Sequence, residues 1–417
     1  MKKKKLLLVT AIPPFPQDSG GATRIKNTIK ELSKSFSLYL ISFKNENYEL
    51  SPEEKSDLNN WCKQIIYVPI GNHKIFGSYL DLGQPYWFSE WYSPELITII
   101  KSVLNNQYFD LIQIETSQLL YLIDYLDKID QKKCIFTAYD ISTISFYRRL
   151  TEIKNIKQKI IHFFRFIEIF LYEKKYIQKY RIINAVSQND SILLKKYFHP
   201  NRVFTLVNGI EKVEFLKTKE KRNDTTVLGY IGSFSHPPNR TAFLYFINEI
   251  ATKLEENNIN YKYLLAGNND NREINCFLSK VPSTIRNKII NLGFVDSPKY
   301  FFQKIDILIT PIFAGSGSRI KILEALSFGK KVISSKVGVE GINLNTNLIS
   351  ICNTSQDYIN EIKIFQAKKN NLDYNQEKEK INQLTWEHIF KNYLASILLI
   401  IIPNSRKSLP KSNSAGI

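Results

Sequence analysis

Apolar residues along this chain fall into short, nearly unbroken runs separated by stretches with a helical period. Runs at 6–11, 38–43, 65–68, 110–114, 133–137 and 203–207 have the length and apolar density of strands buried in a parallel sheet. A segment with one apolar face, 23–34, carries Ile25, Ile29 and Leu32 and predicts a helix directly after the first run. The rhythm stops at 211–226, a charged stretch without apolar periodicity, and restarts with runs at 227–234, 261–266, 289–295, 305–310 and 332–335. Helices are predicted between these at 242–250 and 298–304, and from Ser318 onward with Ile320, Leu323 and Leu326 on one face. Strands alternating with helices in two successive blocks predict an α/β fold of two doubly wound, Rossmann-like domains with a cleft between them. The boundaries read as 1–210, a linker at 211–226 and 227–385, with a terminal helix at about 386–402 packing back on the first domain and a disordered tail at 403–417.

The stretch from Thr310 to Ser335 concentrates the candidate chemistry. Pro311 cannot donate to a ladder, so the chain leaves the sheet there, and Gly315 and Gly317 permit a tight turn with exposed backbone. A helix follows, and Gly329 is placed to end it. A glycine turn ahead of a helix N-terminus attracts anions through unpaired N–H groups and the helix dipole. Arg319 and Lys321 stand in the first turn, where the dipole alone would favour acids; an anion among them accounts for that placement. Gly315, Ser316, Gly317 and Ser318 would supply backbone contacts. Glu324, one turn on, is expected to stay ionised and to accept from sugar hydroxyls. Together these residues read as a diphosphate grip with a hydroxyl-reading acid behind it. The plain alternative is an ordinary turn, since Gly-x-Gly before a helix is common and the third glycine of a dinucleotide fingerprint is missing.

A second glycine turn, Gly20-Gly21, follows the first predicted strand, and Arg24 lies just beyond it; the turn reads equally as a ligand contact and as a simple strand-to-helix connection. Gly232 and Ser233 close the first strand of the second block, and Gly293 ends a later one. Asp140 stands at a strand end, where a helix cap is the commoner role and a place near a reacting group the rarer one. Residues 148–181 hold ten Lys and Arg against three Glu, interleaved with Ile and Phe. Two readings of that segment stand side by side: a basic amphipathic helix resting on an anionic membrane surface, and a core helix with a solvated lysine face.

Composition narrows the partner. The formal net charge of +18 favours an anionic one, whether nucleic acid, anionic lipid or nucleotide sugar. Cys62, Cys134, Cys276 and Cys352 are far apart with no C-x-x-C pair, which offers neither a zinc site nor a disulfide framework and fits a reducing compartment. The start, four lysines and a short apolar run, resembles a signal peptide but is followed by Pro13-Pro14, so a first strand is the better reading. No apolar run approaches the ~18 residues that a spanning helix needs.

The 310–335 block resembles the donor-binding signature of family 4 (group 1) glycosyltransferases, which have the GT-B fold. Glu324-Ala325-Leu326-Ser327-Phe328-Gly329-Lys330-Lys331-Val332-Ile333 is similar to the context of the second Glu in that family's Glu-x7-Glu motif, with Lys331 where Pro is usual. The first Glu would fall at Ser316 and is absent; a surface-polysaccharide subgroup similarly carries a G-S-G-x-R-x-K-x-x-E run. Support in chain order comes from Pro13-Pro14 with Gly20-Gly21, from Tyr172-Glu173, from Val186-Ser187 with Asp190, from Val207-Asn208-Gly209 and from Gly293-Phe294-Val295. The resemblance implies a retaining, metal-independent enzyme that takes a nucleoside-diphosphate sugar as co-substrate, needs no cofactor, and glycosylates a glycan or lipid-linked acceptor in bacterial surface-glycan synthesis. It implies Arg319 and Lys321 on the diphosphate, Glu324 on the ribose, Gly293 beside the base, and Gly20, Gly21, Arg24 and Asp140 toward the reaction centre. It places such a chain in the cytoplasm or peripherally on the inner face of the cell membrane, without a nucleic-acid partner. The rivals are a sugar-nucleotide epimerase on the same fold and a non-catalytic protein that binds anionic membrane or nucleic acid.

Overall fold

The computed structural model describes residues 3–17, 19–70, 85–153, 155–216, 225–234, 236–267, 270–295, 297–313, 320–342, 344–367 and 374–401. Within them the chain forms two parallel sheets, each with helices on both faces. The first contains β1 (Lys4–Thr10), β2 (Phe36–Phe43), β3 (Cys62–Val68), β4 (Leu111–Glu115), β5 (Cys134–Ala138), β6 (Ile182–Ala185) and β7 (Val203–Thr205), in the order β3-β2-β1-β4-β5-β6-β7. The second contains β8 (Thr226–Ile231), β9 (Tyr261–Ala266), β10 (Ile289–Asn291), β11 (Ile307–Thr310), β12 (Lys331–Ser334) and β13 (Ile349–Ile351), in the order β10-β9-β8-β11-β12-β13. Every pairing is parallel. This is the GT-B architecture.

The winding reverses between β1 and β4 in one sheet and between β8 and β11 in the other. Such switch points open a crevice at the carboxyl ends of the strands, because the helices on either side leave in opposite directions. The Gly20–Ser35 helix starts at the first switch point and the Ile320–Ser327 helix at the second.

Each sheet buries both faces. In the first, Leu7, Val9, Ile112, Ile114 and Phe136 pack on one side, and Leu6, Leu8, Leu38, Leu40 and Ile135 on the other. The second cluster is completed by the far end of the chain: Trp386, Phe390, Tyr393, Leu394 and Ile397 of the Trp386–Ile401 helix lie against Ile25, Ile29 and Leu32. A backbone clasp holds this crossing in register. Ile210 N–H donates to the Leu384 carbonyl at 2.9 Å, and Trp386 N–H to the Ile210 carbonyl at 2.9 Å.

Some boundaries differ from the sequence expectation. The basic stretch 148–181 is spread over two helices, Ser142–Glu152 and Ile156–Ile177, and runs on to the edge of β6. The helices Pro52–Trp61 and Pro94–Asn106, each capped by a preceding serine, and the edge strand β13 were not among the expected elements; Pro52–Trp61 and β13 bury little, whereas Pro94–Asn106 carries a clear apolar face with Leu96, Ile97 and Ile100 buried. No helix among the described residues is long and apolar enough to cross a membrane.

Candidate functional site

The two switch points face each other. A Cβ added at Gly20 would lie 3.1 Å from Ile320 Cδ1, so the start of the first-domain helix touches the first described residue of the second-domain helix. Gly21 is equally close-packed: a Cβ there would lie 2.7 Å from Ile12 Cδ1. Ser19 caps this helix, its side chain accepting from Ala22 N–H at 3.2 Å.

On the second-domain side, Lys321 is half-buried and held in place. Its Nζ donates to Tyr230 Oη at 2.9 Å and to Asn239 Oδ1 at 2.8 Å, and stands 4.3 Å from the Tyr230 ring centroid. Tyr230 Oη donates to the same Asn239 oxygen at 2.7 Å, and Asn239 Nδ2 donates to the Ser233 carbonyl at 2.7 Å. The cation, the phenol and the amide therefore fix the Gly232–Ser233 turn. A side chain at Gly232 would collide, its Cβ falling 2.7 Å from Lys321 Nζ and 2.8 Å from Asn239 Nδ2. An ammonium oriented by neutral oxygens at a switch point is suited to a phosphate oxygen. Tyr230 and Asn239 were not anticipated. A helix was expected only from Ala242, whereas it starts at Pro237 and includes Asn239, and nothing along the chain pairs that residue with Lys321.

Glu324 departs from expectation. It is half-buried one turn beyond Lys321, and burial pushes its carboxyl up to about 7, with Lys321 opposing and Glu211 adding to the rise. The anticipated ionised acid is thus a group that takes up a proton near neutral pH, because desolvation outweighs the Lys321 ammonium. Gly293 has φ +68°, with open space where a side chain would be, and its carbonyl accepts from Gly267 N–H at 2.8 Å. Gly329, φ +70°, ends the Ile320–Ser327 helix over the Phe215 ring. Lys331, which stands where the family usually has Pro, opens β12 and donates to the Asn347 carbonyl at 2.9 Å and Ser350 Oγ at 2.7 Å. Gly315, Ser316, Gly317, Ser318 and Arg319 lie outside the described residues.

In the first domain Arg24 is a correction. It is fully buried, not facing the cleft: Nη2 donates to the Leu206 carbonyl at 2.8 Å, Nη1 donates to Asn208 Oδ1, and the guanidinium lies 5.2 Å from the Tyr139 ring and 5.9 Å from the Trp386 ring. It ties the Gly20 helix to the segment entering the linker. Glu115, buried at the end of β4, is held above its usual range by desolvation, which Arg24 partly offsets. Beside it Thr116 adopts φ +78°, a strained conformation for a β-branched residue at the switch point; no sequence signal marked it.

Asp140 does not cap the helix that follows it. Glu173 does so from the neighbouring helix: its carboxylate accepts from Ser142 N–H at 2.9 Å, Thr143 N–H at 3.0 Å and Thr143 Oγ1 at 2.6 Å. Asp140 accepts from Ser145 Oγ at 3.4 Å, and burial raises its carboxyl. Burial also raises Glu173 to about 7 and Asp190 to about 6, with Asp140 adding to both. Asp190 is occupied in its own cap, accepting from Ser187 Oγ at 2.6 Å. The two halves meet again here. Arg148 forks onto Glu340, Nη2 at 3.1 Å and Nη1 at 3.2 Å, and Asn189 Nδ2 donates to the same carboxylate at 3.3 Å. Among the described residues no group of three His, Cys, Asp or Glu is arranged to hold a metal ion.

Comparison with known proteins bears on the fold and on the second domain. Residues 225–364 match the family described as "Glycosyl transferases group 1". An uncharacterized 44.6 kDa protein in the cps region of Klebsiella pneumoniae is 23% identical over 354 residues, 82% of this chain and 85% of that protein. Among solved structures, sucrose-phosphate synthase from Thermosynechococcus elongatus superposes with a TM-score of 0.68 at 14% identity, covering 95% of this chain and 99% of that one. HepE of Anabaena in complex with UDP superposes with a TM-score of 0.60 at 12% identity, covering 95% of this chain and 100% of that one. The fold is therefore that of GT-B glycosyltransferases, and the second domain matches the group 1 family over residues 225–364.

Proposed function

We propose that the protein transfers a sugar from a nucleoside diphosphate to a glycan or lipid-linked acceptor, with retention, in bacterial surface-polysaccharide synthesis. The observation that carries this reading is Lys321, oriented by Tyr230 and Asn239 against the Gly232 turn where the two switch points face each other. The group 1 match, the relative in a cps region and the UDP bound by HepE support the donor class.

In the proposed step the bond between the anomeric carbon and the diphosphate oxygen breaks, and that carbon bonds to an acceptor hydroxyl oxygen on the same face. The hydroxyl proton passes to the departing diphosphate. The demand on the protein is to stabilise negative charge on that leaving group, which positioned cations and backbone N–H groups do without reorganisation. Lys321, with Arg319, would hold the diphosphate. Gly232, Ser233 and the 315–318 backbone would line it, Gly293 would edge the base and Glu324 would accept from the ribose. Gly20, Gly21 and Asp140 would face the acceptor. No metal or cofactor is invoked.

The test is thermal unfolding with UDP, GDP, ADP, dTDP and CMP for the wild type, Lys321→Ala and Arg319→Ala. A diphosphate at 100 times its Kd stabilises by about 2.7 kcal/mol. One nucleotide should raise the Tm of the wild type and do so much less in both variants. Equal shifts in wild type and variants would move the anion site away from Lys321, and no response to any nucleotide would sink the donor reading.

A further inference from the structure

The Ile156–Ile177 helix leaves a large part of its apolar surface open to solvent. Its inward face is formed by Ile169, Tyr172, Glu173, Tyr176 and Ile177, all buried. On the opposite side Ile156 is 69% exposed, Ile160 52%, Phe163 46%, Phe164 65% and Leu171 58%. Their spacing of i, i+4, i+7, i+8 and i+15 makes them one stripe. Tyr147, 53% exposed on the neighbouring helix, adjoins it through Phe166, ring to ring at 5.9 Å. A contiguous exposed apolar surface of this kind marks an interaction site rather than scattered surface residues.

The charges beside the stripe select the partner. Lys157, Lys159, Lys174 and Lys175 are exposed on the same helix, and of its two carboxylates Glu173 points inward onto the Ser142 and Thr143 amides. We infer that this face docks onto an anionic lipid surface, with Ile156, Ile160, Phe163, Phe164 and Leu171 entering the headgroup boundary and the lysines against lipid phosphates. A second copy of the chain would bring lysines against lysines, which opposes association. A nucleic acid would leave the aliphatic half of the stripe without a partner, since bases stack on aromatic rings. The helix also joins surface to cleft. Glu173 holds the backbone just after Asp140, so docking would bring the wall proposed to face the acceptor to the membrane. The docking itself does not depend on the glycosyl-transfer reading.

The test is flotation with vesicles of phosphatidylcholine alone and with about one-third phosphatidylglycerol. The full chain is compared with the triple variant Ile160→Ser, Phe163→Ser, Phe164→Ser and with Lys157, Lys159, Lys174 and Lys175 all changed to Gln. The wild type should prefer the anionic vesicles, with added salt weakening the binding. The triple variant should lose about tenfold or more in partitioning, and the lysine variant its preference for phosphatidylglycerol. The substituted side chains are exposed, and an unchanged Tm would show that folding is intact. Equal partitioning of the wild type to both vesicles, or unaltered binding by the triple variant, would overturn the proposal. So would self-association that the triple variant abolishes without any vesicle binding. Vesicle binding that persists while no nucleotide shifts the Tm would leave docking standing and remove only the donor reading.

Discussion

At the scale of single residues the site is governed by burial as much as by charge. Glu324 is the clearest case, since desolvation raises its carboxyl from an ordinary 4.5 to about 7 despite Lys321. An acid whose pKa is higher folded than unfolded stabilises the fold in its protonated form, and that contribution is lost as pH rises from about 4.5 through 7. Glu324→Gln, neutral at every pH, should therefore gain stability relative to the wild type across that window, by about 3 kcal/mol, and level off above it. Thermal unfolding of both proteins from acid to mildly alkaline pH measures this; a constant difference would mean that Glu324 titrates normally. Lys321 was legible because a cation in the first turn of a glycine-led helix runs against the dipole, and Glu324 because the residues around it resemble the family's donor-binding context. Arg24 was misread because its environment comes from Tyr139, Leu206, Asn208 and Trp386, four residues remote in sequence.

Among elements, the terminal helix shows how a distant segment becomes part of a domain. Gly209 makes the crossing possible: a Cβ there would lie 2.9 Å from both the Leu384 carbonyl oxygen and the Trp386 nitrogen, backbone atoms that cannot rotate away. Gly209→Ala should lower stability by roughly 2 kcal/mol or more, read as a reduced denaturant midpoint. Gly21→Ala, which meets only the flexible tip of Ile12, should cost much less, and equal losses would count against the clasp. The strands were largely visible beforehand because a strand buried on both faces has little choice but to be apolar. The short edge strand β13 and the helix Pro52–Trp61, which buries only Leu58 securely, carry little such pressure. The outward face of Ile156–Ile177 was invisible for a related reason. Apolar residues all round a helix do not say which side is covered.

For the whole molecule, the decisive contacts are those between the halves. Arg148 and Glu340 come from opposite sides of the cleft and are 33% and 21% exposed at their side chains, so their pairing is partly screened. A double-mutant cycle with Arg148→Ala and Glu340→Ala should give a coupling of about 0.5–1 kcal/mol. If the bridge holds the two halves together for ligand, nucleotide affinity should fall in both single variants, more in Glu340→Ala, which also releases Asn189; additive effects on both stability and affinity would remove that role. Apolar periodicity was enough to establish two α/β units and their order, because local burial is written residue by residue, whereas Gly20 and Gly21, read as a turn, open the Gly20–Ser35 helix. The pairing of Lys321 with Tyr230 and Asn239, the capping of one helix by Glu173 of another, the neutral range of Glu324 and the solvent-facing stripe of Ile156–Ile177 had to wait for the folded chain. Each depends on what lies beside a residue in space, and long-range packing sets both the local dielectric and the face that remains open.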